Sequence, residues 1–400
     1  MKFLKLNYQI LVLLCICPNR ESTKRSIKVG NILFSALNVM LGLLSSISSI
    51  TFIVKYFKID LANSLSAGFQ VGSTFFTSYT IIAAFFLRKD ITKVFDDIQS
   101  IYDSTDQYRD SSNFMLKAND CSDNIMKLSI KYLLLPCCSN IAFQCVASAF
   151  HSFLKFGYLK SDLYLPFKFV LPWNQQTPAG WFAETIFSIC VLISVQISLL
   201  SFVPFFCSIC EFHQAFSSMF HARCIEIEIF TKTNENRNHS EVKKLISETI
   251  EFHILVKRFF HHTAHVCSPF ILIQLLSAMI TLSCAIFQID LIIQHLTVQI
   301  IVMLFTVFIS GLILFIYCYY GGQATDLYVA FTMSLYQMSW TNLSIDLQKY
   351  LIIMMANAQE EISYHGFGLV KLNLKIFTKI MLKVITFYLM FKTLTNEPHA

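Results

Sequence analysis

Charged residues are scarce in this sequence. Asp, Glu, Lys and Arg make up only 14% of its 400 residues, whereas hydrophobic residues make up 55% and the mean hydropathy is +0.56. Ordinary soluble domains carry about 25% charged residues. The composition therefore excludes a soluble globular protein and indicates a membrane protein.

The sequence also lacks the motifs on which catalysis and nucleotide binding depend. It contains no phosphate-binding glycine loop, no His-Glu-x-x-His motif and no Ser, His and Asp grouping with a catalytic spacing. The few titratable residues near the ends of apolar segments, His151, Glu184, Asp290 and His295, are expected to face interfacial water. We therefore expect a protein that is not an enzyme, without catalytic residues, cofactors or a nucleic-acid partner.

Cysteine is not scarce, but its thirteen residues fall mostly inside or beside apolar segments. A thiol in such a segment behaves as a small buried hydrophobe. Cys207, Cys210 and His213 have a spacing that a metal site can use, and residues 261–265 contain three histidines. Both groups lie in segments with a continuous helical pattern, so we predict neither a metal centre nor a disulfide framework.

Long segments without Asp, Glu, Lys or Arg dominate the chain. Each exceeds the roughly 20 residues that cross a bilayer core as a helix; they are Val29–Val54, Leu61–Leu87, Tyr132–Leu154, Thr185–Cys210, Val266–Ile289 and Leu291–Thr325. A seventh apolar segment, Leu372–Leu394, is interrupted by lysines but is long enough to span. The sequence therefore predicts an all-α membrane protein with seven transmembrane helices.

Lysine and arginine are distributed unevenly between the connections of these spans. Most lie in the N-terminal segment, between spans two and three, between spans four and five, and before the last span. Because basic residues are retained on the cytoplasmic side, we predict a cytoplasmic N-terminus and an extracellular C-terminus. G-protein-coupled receptors have the opposite orientation, and their Asp-Arg-Tyr and Asn-Pro-x-x-Tyr motifs are absent.

These spans divide the chain into six regions. We predict a cytoplasmic N-terminal segment (1–28), spans one to four (29–210), a cytoplasmic helical extension (211–265), spans five and six (266–320), a cytoplasmic anchor helix and loop (321–371) and the last span (372–394). The outer connection 155–180 is rich in proline, which prevents a long helix. It is either an ordered lid over a cavity or a simple tether.

Aromatic and small residues recur on one face of spans two to four, in their outer halves. The members, spaced by three or four residues, are Phe69, Ser73 and Phe76, then Phe143, Ala147 and Phe150, then Phe182, Ile186, Cys190 and Ile193. Ordinary helix packing explains each residue alone. The group predicts a mostly apolar cavity with one or two hydroxyls, which suits a small volatile molecule.

The last span carries a lysine every four residues, at Lys371, Lys375, Lys379 and Lys383. Lys383 lies too deep to reach the interface easily, so it is expected to face water or protein. It shares one helical face with Thr386, Phe387, Met390 and Leu394, as a pore lining that narrows to an apolar constriction would. The alternative is that Lys383 pairs with an acidic or carbonyl group on a neighbouring helix.

The C-terminal third resembles the insect odorant receptor family in a series of short elements. In chain order these are Tyr317–Gly321, then Leu335, Tyr336 and Trp340, then an aliphatic run ending in Ala358 and Gln359, then Phe367 to Phe377. The proline-rich outer loop, the length and the predicted orientation agree with this family. The family usually has Tyr where this chain has Phe387 after Thr386.

The resemblance implies an odorant-gated, non-selective cation channel in the plasma membrane of olfactory sensory neurons. Its partners would be the odorant receptor co-receptor, in a heterotetramer, a small volatile odorant, membrane lipid and permeating cations. Because the chain lacks the extended cytoplasmic insertion of the longer co-receptor, it resembles an odour-tuning subunit. A gustatory-type ligand-gated channel of the same architecture remains an alternative, as does a seven-helix G-protein-coupled receptor or transporter.

The resemblance also implies an intracellular anchor that holds the subunits together. We expect Gly321 and Gly322 to bend the chain where it leaves the membrane. The residues expected to pack against neighbouring subunits after this bend keep helical spacing; they are Tyr328, Phe331, Leu335, Tyr336 and Trp340.

Overall fold

The chain is almost entirely helical in a computed structural model that describes residues 9, 11, 25–57, 61–105, 111–129, 131, 169–170, 172, 177–233, 239–292, 298–360 and 362–396. The helices are α1 (Arg25–Tyr56), α2 (Leu61–Phe86), α3 (Arg88–Thr105), α4 (Ser111–Ser129), α5 (Pro178–Thr233), α6 (His239–Ile292), α7 (Val298–Gln337), α8 (Ile345–Ala358) and α9 (Leu374–Asn396). A short 3-10 helix, Trp340–Asn342, precedes α8. An antiparallel hairpin, β1 (His365–Gly366) and β2 (Val370–Lys371), precedes α9. The all-α class is confirmed.

The helices are long and apolar enough for a multi-pass membrane protein. Four stretches qualify in the described ranges, Ile32–Tyr56, Phe182–Lys232, Ser240–Leu291 and Met303–Asn342, and a fifth if Gln70–Phe86 and Arg88–Ser104, bent by 69°, count as one span. Six of the seven predicted spans coincide with helices, namely α1, α2, α5, α6, α7 and α9. The third, 132–154, lies outside the described residues, as does most of the outer loop 155–180.

Helices α5 and α6 are much longer than a membrane requires. They contain 56 and 54 residues, which at 1.5 Å per residue is about 80 Å, against about 30 Å for a bilayer core. The described parts of the predicted extension 211–265, residues 211–233 and 239–265, are therefore the continuations of these two helices. Together with the C-terminal part of α7 and with α8, it forms a bundle that we call the projecting end.

The projecting end has an aromatic core. Phe331 stacks on Phe220 with ring centroids 3.7 Å apart, and His213 stacks on Phe260 at the same distance. All four side chains are buried. Stacked rings bury large areas and add specific packing energy, so these contacts hold α5, α6 and α7 together.

Small and hydroxyl side chains join α1, α2 and α6 in the apolar part of the fold. Ser46 Oγ lies 2.9 Å from Thr74 Oγ1, and Ser277 Oγ donates to the carbonyl of Gly72 at 2.8 Å. A Cβ on Gly72 would lie 2.7 Å from Thr281 Oγ1, so glycine allows this approach. Interhelical contacts of this kind are typical of membrane helices.

The prediction that Gly321 and Gly322 bend the chain was wrong, because α7 runs unbroken from Val298 to Gln337. Gly321 serves a close contact instead. A Cβ there would lie 2.5 Å from Cβ of the buried Leu372, just before α9, whereas a Cβ on Gly322 would meet nothing nearer than Cα of Asn373 at 3.5 Å. Only the first glycine lets this segment pack against α7.

Alanine at Gly321 is expected to destabilise the protein, whereas alanine at Gly322 is expected to stabilise it slightly. Both changes gain up to about 1 kcal/mol of helix propensity, but the new methyl at 321 overlaps Leu372, and overpacking costs roughly 1–3 kcal/mol. Thermal unfolding of the solubilised protein measures the effect of both variants. Equal unfolding midpoints for the two would contradict this role of Gly321.

Candidate functional site

The N-terminal end of α9 is fixed to α6 and α7 by the hairpin. The backbone N–H of Phe367 donates to Ser268 Oγ on α6 at 2.8 Å, and Phe367 takes a φ of 50° at this turn. Gly366 packs so tightly that a Cβ there would lie 3.0 Å from Cα of Leu272. Asn373 Oδ1 then accepts the N–H of Ile376 at 2.9 Å and caps the new helix.

The rest of α9 packs on the protein by one face only. Val384 is fully buried, and Met381 and Tyr388 are half-buried on the same side. Four residues of the predicted pore lining are exposed in the single chain, Lys383, Thr386, Phe387 and Met390. The side chain of the fifth, Leu394, lies outside the described residues. Leu382, Ile385 and Leu389 are also exposed, next to this face.

Lys383 has no ion-pair partner among the residues that the structure describes. The alternative that it pairs with an acidic group therefore finds no support within the described part of this chain. Thr386 donates its hydroxyl to the carbonyl of Leu382 on its own helix at 2.9 Å. The exposed face of α9 thus runs from a cation through a hydroxyl to the apolar Phe387 and Met390.

The C-terminal end of α9 is attached to α6 by an ion pair. Lys392 Nζ lies 3.0 Å from Asp290 Oδ2 and donates to the hydroxyl of Tyr388 at 3.2 Å. The prediction that Asp290 and Glu184 face interfacial water was wrong in part: Asp290 is partly exposed but paired, and Glu184 is buried at 1% exposure. His151 and His295 lie outside the described residues.

Only part of the predicted ligand cavity falls within the described residues. Phe76 is buried, and Ser73 and Cys190 are half-buried, whereas Ile186 and Ile193 are exposed with Phe182. Phe143, Ala147 and Phe150 lie outside these ranges, and the side chain of Phe69 does as well. The buried face of α5 carries Ser188, Val191 and Val195, so most of the predicted stripe on α5 lies outside the face by which this helix packs.

The predicted anchor residues divide between the core and the surface. Tyr328, Phe331 and Leu335 are each 1% exposed and pack within this chain, whereas Tyr336 is 68% exposed and Trp340 is half-buried. Helix α8 buries Leu347, Leu351, Met354 and Ala358 and exposes Ile345, Ile352 and Ile353. At α8 the outward surface of the projecting end therefore carries large apolar side chains beside the exposed pair of Asp346 and Lys349.

Next to this surface, a cavity of about 470 Å³ lies between α6 and α8. Its wall combines Ile254 and Ile353 with Arg258 and His261. Lys257 Nζ lies 2.6 Å from Glu360 Oε2, and this hydrogen bond lowers the pKa of Glu360. Sequence patterns did not indicate the cavity, because its two walls are almost one hundred residues apart along the chain.

His213, which has a metal-site spacing with Cys207 and Cys210, takes part in a buried polar network. The Nε2 atom of His213 lies 2.6 Å from the hydroxyl of Tyr364 and 3.1 Å from Thr263 Oγ1. Burial raises the pKa of Tyr364 well above its ordinary value, so its hydroxyl remains a donor. Among the described residues no group of three or more metal-ligating side chains occurs.

Comparisons with known proteins agree with this architecture. Two structures of the insect olfactory receptor OR5 from Machilis hrabei share the fold, each at 12% sequence identity. The complex with eugenol has a TM-score of 0.71 with 98% of both chains covered, and another OR5 structure has a TM-score of 0.67 with 96% of both covered. No curated protein sequence matches the chain.

The family model of the 7tm odorant receptors matches residues 62–384. This match covers most of the chain, and it includes the C-terminal elements that resemble the insect receptors. The resemblance is thereby confirmed. The protein belongs to the 7tm odorant receptor family, a family of membrane receptors and not of enzymes.

Proposed function

We propose that the protein is the odour-tuning subunit of an odorant-gated, non-selective cation channel. Its partner is the odorant receptor co-receptor, in a heterotetramer in the plasma membrane of olfactory sensory neurons. The observation that carries the proposal is the exposed face of α9, from Lys383 to Met390. A helix that packs by one face and presents a polar-to-apolar surface on another is suited to line a pore shared between subunits.

The proposed topology has seven spans, a cytoplasmic N-terminus and an extracellular C-terminus. The packing of α9 on α6 supports it: Phe367 contacts Ser268 before α9, and Lys392 contacts Asp290 near the end of both helices. The two helices therefore run in the same direction, as spans five and seven must. The projecting end is then cytoplasmic and corresponds to regions 211–265 and 321–371.

The proposed ligand is a small volatile molecule in the outer halves of spans two to four. Phe76 is buried and Ser73 is half-buried on α2, and Cys190 is half-buried on α5; their burial supports this position. A receptor of the same fold binds eugenol, an aromatic molecule with a hydroxyl. The predicted residues of span three would complete the cavity, and Ile186 and Ile193 would face that span.

We place the proposed interface with the partner subunit on the outward surface of α8 and on Tyr336 of α7. Large apolar side chains are exposed here, at Tyr336, Ile345 and Ile353, on a part of the molecule that extends beyond the membrane. Exposed apolar patches of this kind mark protein interfaces. The buried Tyr328, Phe331 and Leu335 support the surface from within and do not themselves reach a partner.

Expression of the chain with and without the co-receptor tests the channel role. We expect odour-evoked cation current across a panel of volatiles only when both proteins are present, with current unaffected when nucleotide exchange on G proteins is blocked. The co-receptor alone, exposed to the same panel, is the control. Robust odour-evoked current from this chain alone would contradict the heteromer, and current abolished by the G-protein block would contradict the channel.

A further inference from the structure

The two ends of α9 are held on α6 in different ways. At its N-terminal end the backbone of the hairpin packs on Ser268 and Leu272, and Leu372 fits against Gly321. At its C-terminal end the attachment depends on side chains, chiefly the ion pair of Lys392 with Asp290. The first attachment is fixed by backbone packing, whereas the second opens by separation of two side chains.

An aromatic cluster lies beside this ion pair. Phe287 of α6 is buried at 1% exposure, with its ring centroid 5.8 Å from Phe391 and 6.3 Å from Tyr388 of α9. Tyr388 also accepts the second hydrogen bond of the Lys392 ammonium. Both partners of the ion pair remain partly exposed, 45% for the Lys392 side chain and 35% for Asp290, so water can replace either contact when the helices separate.

The proposed constriction is next to this attachment. Met390 lies two residues before Lys392, about 3 Å along the helix axis, and faces away from α6 with 44% exposure. Leu389 and Ile385 are also exposed, so the last two turns of α9 contact α6 mainly through Tyr388, Phe391 and Lys392. Any movement of Met390 relative to α6 therefore has to move Lys392 as well.

We propose that Asp290 and Lys392 form an ionic latch that holds the C-terminal half of α9 against α6 in the closed pore. The inference rests on the proposed channel function, to which it adds the residues that set the closed-to-open equilibrium. Opening the pore separates the two side chains, and each then returns to water. Exposed ion pairs contribute modestly, so breaking the latch is expected to shift the closed-to-open equilibrium about two- to fivefold and to lower the unfolding midpoint only slightly.

Charge reversal tests the latch, with the co-receptor present in every case. Asp290→Lys and Lys392→Asp are each expected to raise basal current, to lower the half-maximal odorant concentration about two- to fivefold and to slow channel closing after odorant washout. The double variant, Asp290→Lys with Lys392→Asp, is expected to restore all three values towards the wild type. Lys244→Glu, which breaks an exposed pair with Glu248 on the same helix, is the control and is expected to change none of them.

The outcomes separate the latch from the channel proposal. If the wild type gives odour-evoked current and the single variants have the same basal current, half-maximal concentration and closing rate at normal surface labelling, the latch is overturned. The channel proposal is unaffected by this outcome. Single variants that differ from the wild type but are not corrected by the double variant would also overturn the latch. If the wild type gives no current, the channel role fails, but the unfolding midpoints of the four solubilised proteins still test the ion pair. The midpoint is expected to fall in both single variants and to recover in the double variant. A double variant whose midpoint falls by the sum of the two single losses would overturn the pairing.

Discussion

Replacing Tyr336 with alanine is expected to leave the receptor folded but to weaken its assembly with the co-receptor, whereas replacing Phe331 with alanine is expected to destabilise the fold itself. Phe331 is 1% exposed and stacks on Phe220 with centroids 3.7 Å apart. Loss of such a buried ring costs about 3–5 kcal/mol. Tyr336, five residues further along α7, is 68% exposed, so its removal costs the isolated subunit little.

Two measurements distinguish these effects. The unfolding midpoint of the solubilised subunit reports on folding, and co-purification with a tagged co-receptor reports on assembly. An aromatic residue at the centre of an interface contributes about 2 kcal/mol or more, so Tyr336→Ala is expected to reduce co-purification more than tenfold at limiting concentrations. Leu116→Ala, which shortens an exposed apolar residue on α4 and so outside the proposed interface, is the control. Undiminished co-purification of Tyr336→Ala would place the interface elsewhere.

Helical periodicity predicted which residues share a face, and for α9 this was sufficient. Lys383, Thr386, Phe387 and Met390 were grouped by spacing alone, and all four are exposed together on the described helix. The reason is that α9 is a single regular helix, so spacing converts directly into angle. Its role in a pore stays a prediction, because exposure in one subunit does not identify what covers the face.

Periodicity did not predict what each face meets. Tyr328, Phe331 and Leu335 have the spacing of a docking surface, but their partners are Phe220, Phe260 and other core residues of this chain. An apolar face has the same pattern whether it meets its own chain or another. The ligand stripe on α5 has the same difficulty, since Ile186 and Ile193 lie opposite the face that carries Ser188 and Val191.

Contacts between distant segments were beyond the reach of sequence patterns. Gly321 was interpreted as a bend because glycine permits one, and only the position of Leu372 in three dimensions reveals the close contact instead. Asp290 and Lys392 lie near the ends of two predicted spans, but their pairing depends on the parallel packing of α6 and α9. The sequence feature that could have indicated this pair is the presence of opposite charges near the same ends of two spans that run in the same direction.

Shortening Met390 to alanine is expected to raise the basal current of the assembled channel severalfold. The side chain of Met390 is 44% exposed on the unpacked face of α9. If it forms part of an apolar constriction that blocks ions by excluding water, its truncation widens that constriction. Leu389→Ala removes an aliphatic chain of similar size from the adjacent position, which is 53% exposed but lies off the predicted face. This control is expected to keep the basal current of the wild type.

Lys383→Gln tests the other end of the same face, and its expected effect is on permeation, with gating unchanged. One charge at 4 Å from an ion is worth on the order of 4 kcal/mol at an effective dielectric of 20, and water and salt in a wide vestibule reduce this greatly. Because a lysine repels permeating cations, its neutralisation is expected to raise single-channel conductance and divalent permeability modestly. Single-channel recording with surface labelling measures both. Normal surface expression with unchanged conductance and selectivity would show that Lys383 does not line the pore. Poor assembly with unchanged permeation in the surviving channels would show that Lys383 pairs with a neighbouring subunit.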